Sequence, residues 1–572
     1  MRCPINPASG NDVPEPEFTA KDPRTPRPDR IERAADDRSA PWILGALGGG
    51  IRRTCAIGLL ALFTLLSGTV DARRDRTVTG DVIKAARYLQ SSRLDDAKAV
   101  LVDLEKRAPD NVDVKWLHAE LAFQTGNYAD AVKVLDKVPD DAADGFAGQT
   151  KKLAASTLAV TESFVETRSP KGHFLIRYAP GKDAAIAELA GDVLDTAWAT
   201  IGDDLGLSPA DPIRVEILGA PADLARMSPL TEAEIETTGT IALSKYNKLM
   251  VVSPRATLFG YPWMDTLAHE YTHLVVARIS HDTVPVWMQE GLARFEQTRW
   301  RRPPEVVLTS TEQALLTAGL RKGRLITFDE MHPSMAKLPS QEAAALAYAE
   351  VYTLVGWMQG KVGFKGLRDT LALQRDGKSA KRAVTEALDL TWPQVEKEWH
   401  THLKVGDGKA RAGRPIKFGK GGADSENVGI ETVSARARKH TRLGGMLRAR
   451  GQLEAAAVEY EKALATNGGG APEPFVAGKL ARTLVELGRY DRAIELATPL
   501  AAADDHDAVA SVTLGMARTA KQDWPEAITA YEQALRVSPF DPQTRCGLAE
   551  AYAKMKDAKA TRERAACDLL KN

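Results

Sequence analysis

Two histidines four residues apart, with a glutamate directly after the first, stand in the segment Thr266-Leu267-Ala268-His269-Glu270-Tyr271-Thr272-His273-Leu274-Val275. On a helix, residues four apart share a face, so His269 and His273 can aim two imidazoles at one metal ion. Glu270 sits one step round, within reach of the proton of a water held there. The flanks Leu267, Tyr271, Thr272, Leu274 and Val275 are uncharged and no proline interrupts, a pattern that describes a buried helix. Burying two histidines and a glutamate without a shared role would be costly, so a pair of satisfied core histidines is the weaker reading.

A hydrolytic zinc centre takes three protein ligands and keeps one position open. A third histidine in the form His-x-x-Gly-x-x-His is excluded, because Val276 and Ile279 hold the required positions. The next candidate is Glu290, in Val286-Trp287-Met288-Gln289-Glu290-Gly291-Leu292-Ala293-Arg294-Phe295. Pro285 suits a loop leading into a new helix. Gly291 and Ala293 would let that helix pack tightly against the histidine helix, and the interval from His273 leaves room for a helix end, a loop and a return. Glu296 is the rival third ligand; otherwise it reads as a solvated helix face or as support for the ligands.

His269-Glu270-x-x-His273 followed by Trp287-x-x-Glu290-Gly291-Leu292-Ala293 resembles the gluzincin metallopeptidases. The similarity is greatest to the peptidase MA-like domains found beside tetratricopeptide repeats in secreted bacterial proteins; aminopeptidase N-type enzymes carry a similar Glu-Gly-Phe-Ala segment. The resemblance spans about Phe164 to Leu403. It implies His269, His273 and Glu290 as ligands of one zinc ion per chain, and Glu270 as general base. In gluzincins a Tyr or His from a downstream element often stabilises the oxyanion. Ala347-Tyr348-Ala349-Glu350-Val351-Tyr352 resembles the Ala-Tyr segment of these domains, which makes Tyr348 the candidate. Tyr352 shares its helix face, and either ring also reads as a core aromatic. His281 reads as a loop-surface histidine rather than a proton donor. The aminopeptidase motif Gly-Ala-Met-Glu-Asn is absent: Gly239-Thr240-Ile241-Ala242 has no glutamate to hold a free amino terminus, which leaves an endopeptidase as the default. Membrane-associated metallopeptidases that combine His-Glu-x-x-His with repeats place their last glutamate much farther downstream, so the short interval to Glu290 argues against them.

These residues need elements to hold them. His173–Tyr178 and Ile213–Leu218 read as strands, with an amphipathic helix between them over Asp183–Leu205. Thr240–Leu243 and Lys248–Val252 read as a hairpin whose edge can pair with an extended peptide. From Trp263 to about Lys404 the pattern is helical. Around this lobe the chain repeats. Arg93-Leu94-Asp95-Asp96-Ala97 matches Asn127-Tyr128-Ala129-Asp130-Ala131, and Ala97 to Ala131 is 34 residues, the tetratricopeptide period. Near the C-terminus Ala456, Ala493 and Ala527 mark three further copies; Ala493 to Ala527 is again 34 residues, and a final capping helix is expected.

The expected fold is therefore multidomain: an α+β zincin-like metallopeptidase domain, with a strand-containing upper lobe and a helical lower lobe, between all-α tetratricopeptide segments. Its expected boundaries are 1–72 for a disordered leader with a signal peptide or anchor, 73–162 for the first repeats, 163–404 for the metallopeptidase domain, 405–432 for a Gly-rich linker and 433–572 for the second array. Lys+Arg and Asp+Glu balance at 76 each, which gives no footprint for nucleic acid. Arg52-Arg53, the apolar run Cys55–Leu66 and Val70-Asp71-Ala72 resemble an export signal with a cleavage site; the run is short for a membrane span of ~20 residues, so cleavage is favoured over anchoring. Either outcome places the chain outside the cytoplasm, periplasmic or secreted. Cys546 and Cys567 read as two partly buried thiols in preference to a disulfide. The expected partners are a peptide or protein substrate and proteins bound by the repeats. The competing reading is a repeat scaffold whose metallopeptidase-like domain binds without cutting.

Overall fold

The computed structural model describes residues 72–138, 145–332, 335, 338–403, 430, 433–466 and 473–571. The export-signal reading at 52–72, apart from Ala72, and nearly all of the linker segment fall outside them. Among the described residues no helix is long and apolar enough to cross a membrane.

The chain begins with helix pairs. Ala72–Gln90 packs on Leu94–Arg107, Val112–Gln124 on Tyr128–Leu135, and Phe146–Thr161 closes the group. Five strands follow: β1 (Val165–Arg168), β2 (Phe174–Tyr178), β3 (Ile213–Leu218), β4 (Ala242–Lys245) and β5 (Lys248–Val252), in the order β1-β2-β3-β5-β4. β2, β3 and β5 are parallel, while the outer β1 and β4 are antiparallel to their neighbours. Parallel neighbours need a crossover. The helix Ala184–Leu205 supplies the first, and Pro221–Met227 and Glu232–Thr238 lie in the second.

β4 and β5 join through a two-residue turn, Tyr246-Asn247, with φ of 55° and 57°. Two left-handed residues match the twist of a hairpin. Ser244 and Lys245 are therefore strand, not loop as the sequence pattern suggested, and β4 is the outer strand of the sheet among the described residues, beside the metal-motif helix. At the start of β5, Lys248 is 1% exposed. Its ammonium donates to the Tyr128 hydroxyl at 3.0 Å; that hydroxyl donates to Glu216 at 2.8 Å, and Arg177 donates to the same carboxylate at 3.0 Å. A buried charge needs such partners. The network ties the second N-terminal helix pair to the sheet, while burial pulls the Lys248 pKa down to about 7.

Beyond the sheet come the helices Trp263–Ser280, Val286–Glu296, Ser310–Lys322, Gln341–Arg375, Ala380–Leu388 and Trp392–His402. The long helix Gln341–Arg375 breaks at Gly363, where φ is 64°. Among the described residues the C-terminal region holds four helix pairs: Ala435–Ala449 with Leu453–Ala465, Pro474–Glu486 with Tyr490–Ala503, Ala508–Ala520 with Trp524–Leu535, and Pro542–Lys554 with Lys559–Lys571. A second helix thus follows where one capping helix was expected. Small residues set the spacing inside the pairs: a Cβ on Gly515 would lie 2.6 Å from the Tyr531 ring, and one on Gly444 would lie 2.7 Å from Tyr460.

The last pair also corrects the reading of the cysteines. Cys546 and Cys567 form a disulfide between the two helices, with Cα atoms 4.9 Å apart. They are 21 residues apart in sequence, and the antiparallel pairing closes that gap.

Candidate metal centre

Trp263–Ser280 is the metal-motif helix, and most of its surface is covered. Leu267, Tyr271, Leu274 and Val275 enter the main core, and the Tyr271 ring meets Phe174 of β2 edge-on at 5.4 Å. The helix stops at His281, whose φ of 55° makes a left-handed cap. His281 lies outside the cluster of metal-ligand groups, and burial, with Arg93 and Arg375, lowers its pKa.

The structure brings His269, His273 and Glu290 together. Their closest approaches are 3.1 Å between the two Nε2 atoms, 3.5 Å from His269 Nε2 to Glu290 Oε2 and 3.7 Å from His273 Nε2 to the same oxygen. Donors held tetrahedrally around zinc at ~2.0–2.2 Å would stand ~3.3–3.6 Å apart. The three atoms span that spacing, and two imidazoles with one carboxylate are a donor set of zinc hydrolases. The residues fit the metal.

The Glu helix, Val286–Glu296, reaches this position by close contact with a third helix. A Cβ on Gly291 would lie 2.8 Å from the Val351 carbonyl of Gln341–Arg375. The glycine therefore lets the Glu helix approach the long helix, rather than the histidine helix as the sequence suggested. That approach carries Tyr348, one turn before Val351, towards the metal ligands. The residue as a whole is 37% exposed, but its hydroxyl end feels Glu290, burial and Glu270, which together raise its pKa. Tyr352 is elsewhere: its hydroxyl donates to the Glu305 carbonyl at 3.0 Å and accepts from the Val307 N–H at 2.9 Å, so it fastens a loop.

Charges in the cluster act on one another. Burial raises the Glu270 pKa and Glu290 adds to it, against His273, His269 and the Ser244 backbone N–H of β4. Burial works against a charged His273, but Glu290, Glu270 and Gln289 together outweigh it and the pKa rises to about 9. The same negative field that favours a proton on His273 favours a divalent cation there. Burial also opposes a charged Glu290, yet His273 and His269 hold its carboxyl well below the usual range.

Several supporting residues were missed from sequence. Gln289 hydrogen-bonds His273 and helps to raise its pKa. Such partners orient a ligating ring. Ser244 acts through its backbone, so its side-chain type gave no signal. Asp265, one turn before His269, accepts from Arg301 at 2.9 and 2.6 Å and from the Trp300 indole at 2.9 Å.

Glu296, the rival ligand, lies six residues beyond Glu290, on another face of the helix, and is fully buried. Burial and the neighbouring Asp204 raise its pKa well above the carboxylate range, while Arg299 opposes. The folded chain thus keeps a proton that the unfolded chain releases above about pH 4.3. The stability supplied by that proton is complete below this pH and falls as pH rises towards the folded pKa. Glu296→Gln keeps the shape and a donor for Asp204. Its stability relative to wild type is expected to be near zero at pH 4 and to grow to about 1–3 kcal/mol at pH 8, read from urea melts at both pH values. A constant difference across pH would contradict the assignment.

Protein-family models agree with this domain order. A model of the Peptidase MA superfamily matches residues 194–405, and models described as tetratricopeptide repeat and TPR repeat match residues 88–153 and 515–556. The chain carries a Peptidase MA superfamily domain flanked by tetratricopeptide repeats. No curated protein matches it. Among solved structures, a thermophilic tetratricopeptide-repeat protein of Thermus thermophilus is similar at 25% identity over 23% of this chain and 74% of that one, with a TM-score of 0.21. Native yeast LTA4 hydrolase is similar at 10% identity over 71% of this chain and 66% of that one, with a TM-score of 0.29.

Proposed function

We propose that the chain is an exported zinc-dependent metallopeptidase of gluzincin type, acting as an endopeptidase, whose repeats bind substrate or partner proteins. The observation that carries the reading is the convergence of His269, His273 and Glu290 at 3.1–3.7 Å, with Glu270 beside them. Zinc held by these three residues would lower the pKa of water from ~15.7 to about 7 and polarise the scissile carbonyl.

The chain's own groups supply the rest. Glu270 takes the proton of the attacking water and passes it to the leaving amine. Burial and the Glu290 charge raise its pKa, which suits a group that must both accept and release a proton. Tyr348 keeps its proton because its pKa is raised, so it can donate a hydrogen bond to the oxyanion. β4 is the outer strand of the sheet among the described residues, and its Ser244 N–H, bound to Glu270, sets that edge beside the base. An extended substrate can add there as a further strand. The Cys546–Cys567 disulfide supports export, since such bonds persist in oxidising compartments.

Metal analysis tests the reading. One zinc per chain is expected, with peptide hydrolysis lost on chelation and restored by zinc. Hydrolysis that survives complete zinc removal would refute it. For Tyr348→Phe, kcat is expected to fall about 100-fold with KM little changed, in steady-state peptide assays. An equal loss confined to KM would make Tyr348 a substrate-binding group instead.

A further inference from the structure

The C-terminal helix pairs share a core with the metallopeptidase domain. Tyr531, Leu535, Leu548 and Tyr552 belong to the same buried cluster as Trp263 and Leu267 of the metal-motif helix. From this we infer, on the zinc-site reading above, that the third helix pair positions the metal ligands, with Trp263 and Arg301 as the positioning residues.

Trp263 is the first residue of the metal-motif helix and is 1% exposed. Its indole N–H donates to the Leu535 carbonyl at 2.9 Å. Leu535 ends the helix Trp524–Leu535, where carbonyls lack helical partners, so the bond satisfies an end group as well as crossing between domains. Two residues earlier, the Tyr261 N–H donates to the Val537 carbonyl at 3.2 Å. Gly260 has a φ of 72°, and a Cβ there would lie 2.1 Å from the same carbonyl, so the two backbones meet with no side chain between them.

A second link comes one turn on. Arg301 grips Asp265 through two hydrogen bonds and also reaches Asp505 at 3.1 Å, in the loop before Ala508–Ala520. Asp265 and His269 are four residues apart on one helix face. The fourth pair braces the far side. Buried Arg545 donates to the Ala185 carbonyl of Ala184–Leu205, a helix that packs on the metal-motif helix, and Arg562 donates to Asp192 on that helix at 2.6 Å.

An array that only captured partners would need none of these bonds. Here they fix the start and the azimuth of the helix that carries two of the three ligands, and ligand geometry is sensitive to shifts of about 1 Å. The array therefore contributes to metal affinity in addition to any partner it binds.

The test is zinc affinity of the full-length chain, by competition with a chromogenic chelator, alongside thermal melts. Trp263→Phe removes the N–H and keeps a ring; zinc affinity is expected to fall about 10-fold. Arg301→Lys, which keeps a cation beside Asp265 but cannot hold Asp265 and Asp505 together as the guanidinium does, is expected to cause a smaller loss in the same direction. Leu480→Ala is the control. It opens the core of the first two C-terminal pairs, away from the metal-motif helix, and should lower the melting temperature without changing zinc affinity. The inference is overturned if Trp263→Phe binds zinc as wild type does, or if Leu480→Ala weakens zinc as much. Wild type that takes up no zinc would overturn the metal site itself, and this inference with it.

Discussion

His273→Ala is expected to weaken zinc binding by about 100- to 1,000-fold. A four-ligand zinc site supplies roughly 10–16 kcal/mol, and one ligand is about a quarter of that. His273 is the ligand most strongly tied to the others: its Nε2 lies 3.1 Å from His269 Nε2 and 3.7 Å from Glu290, and Gln289 supports its ring. The alanine also leaves Glu290 with one fewer cationic partner, so its carboxyl pKa should rise. Peptide hydrolysis at micromolar zinc should disappear, and recover in part at millimolar zinc. Isothermal titration and metal-dependent rates check both. Unchanged zinc affinity would remove the ligand assignment.

Glu270→Gln is expected to act on chemistry and leave the metal in place. Glu270 is not among the converging ligand atoms, so zinc stoichiometry should stay at about one per chain. The amide cannot take the proton of the attacking water, and general acid–base catalysis is worth about 100- to 10,000-fold. kcat/KM for a peptide should fall by that factor, with most of the loss in kcat. A large rise in KM with kcat unchanged would show that Glu270 binds substrate and does not transfer protons.

The centre of the chain was largely legible from residue types. Helical spacing put His269 and His273 on one face, and Glu290-Gly291-Leu292-Ala293 marked a second helix. The sheet was read less completely. β1 is mostly exposed and reads Val-Glu-Thr-Arg, with no apolar alternation to reveal it. The short helix Glu232–Thr238 rests on a capping box between Thr231 and Glu234, a local signal easily passed over in a polar stretch. The turn at Tyr246-Asn247 was hidden because left-handed residues there are neither Gly-Gly nor Asn-Gly.

Other features depend on partners far along the chain. Gly291 signalled a close approach but not which helix would approach. The Trp263–Leu535 bond joins residues 272 positions apart, and no local pattern announces it. Buried carboxyls behave similarly: Glu296 looks like any surface helix glutamate until Asp204 and the packing around it are in place. Cys546 and Cys567 could be paired only once the last two helices were known to lie antiparallel.

The most direct test of the central claim is to digest a denatured protein mixture with zinc-loaded wild type and with zinc-loaded Glu270→Gln, then sequence the new amino termini. New internal termini are expected with wild type and almost none with the variant. The same set of termini from both proteins, or none from either, would contradict that claim.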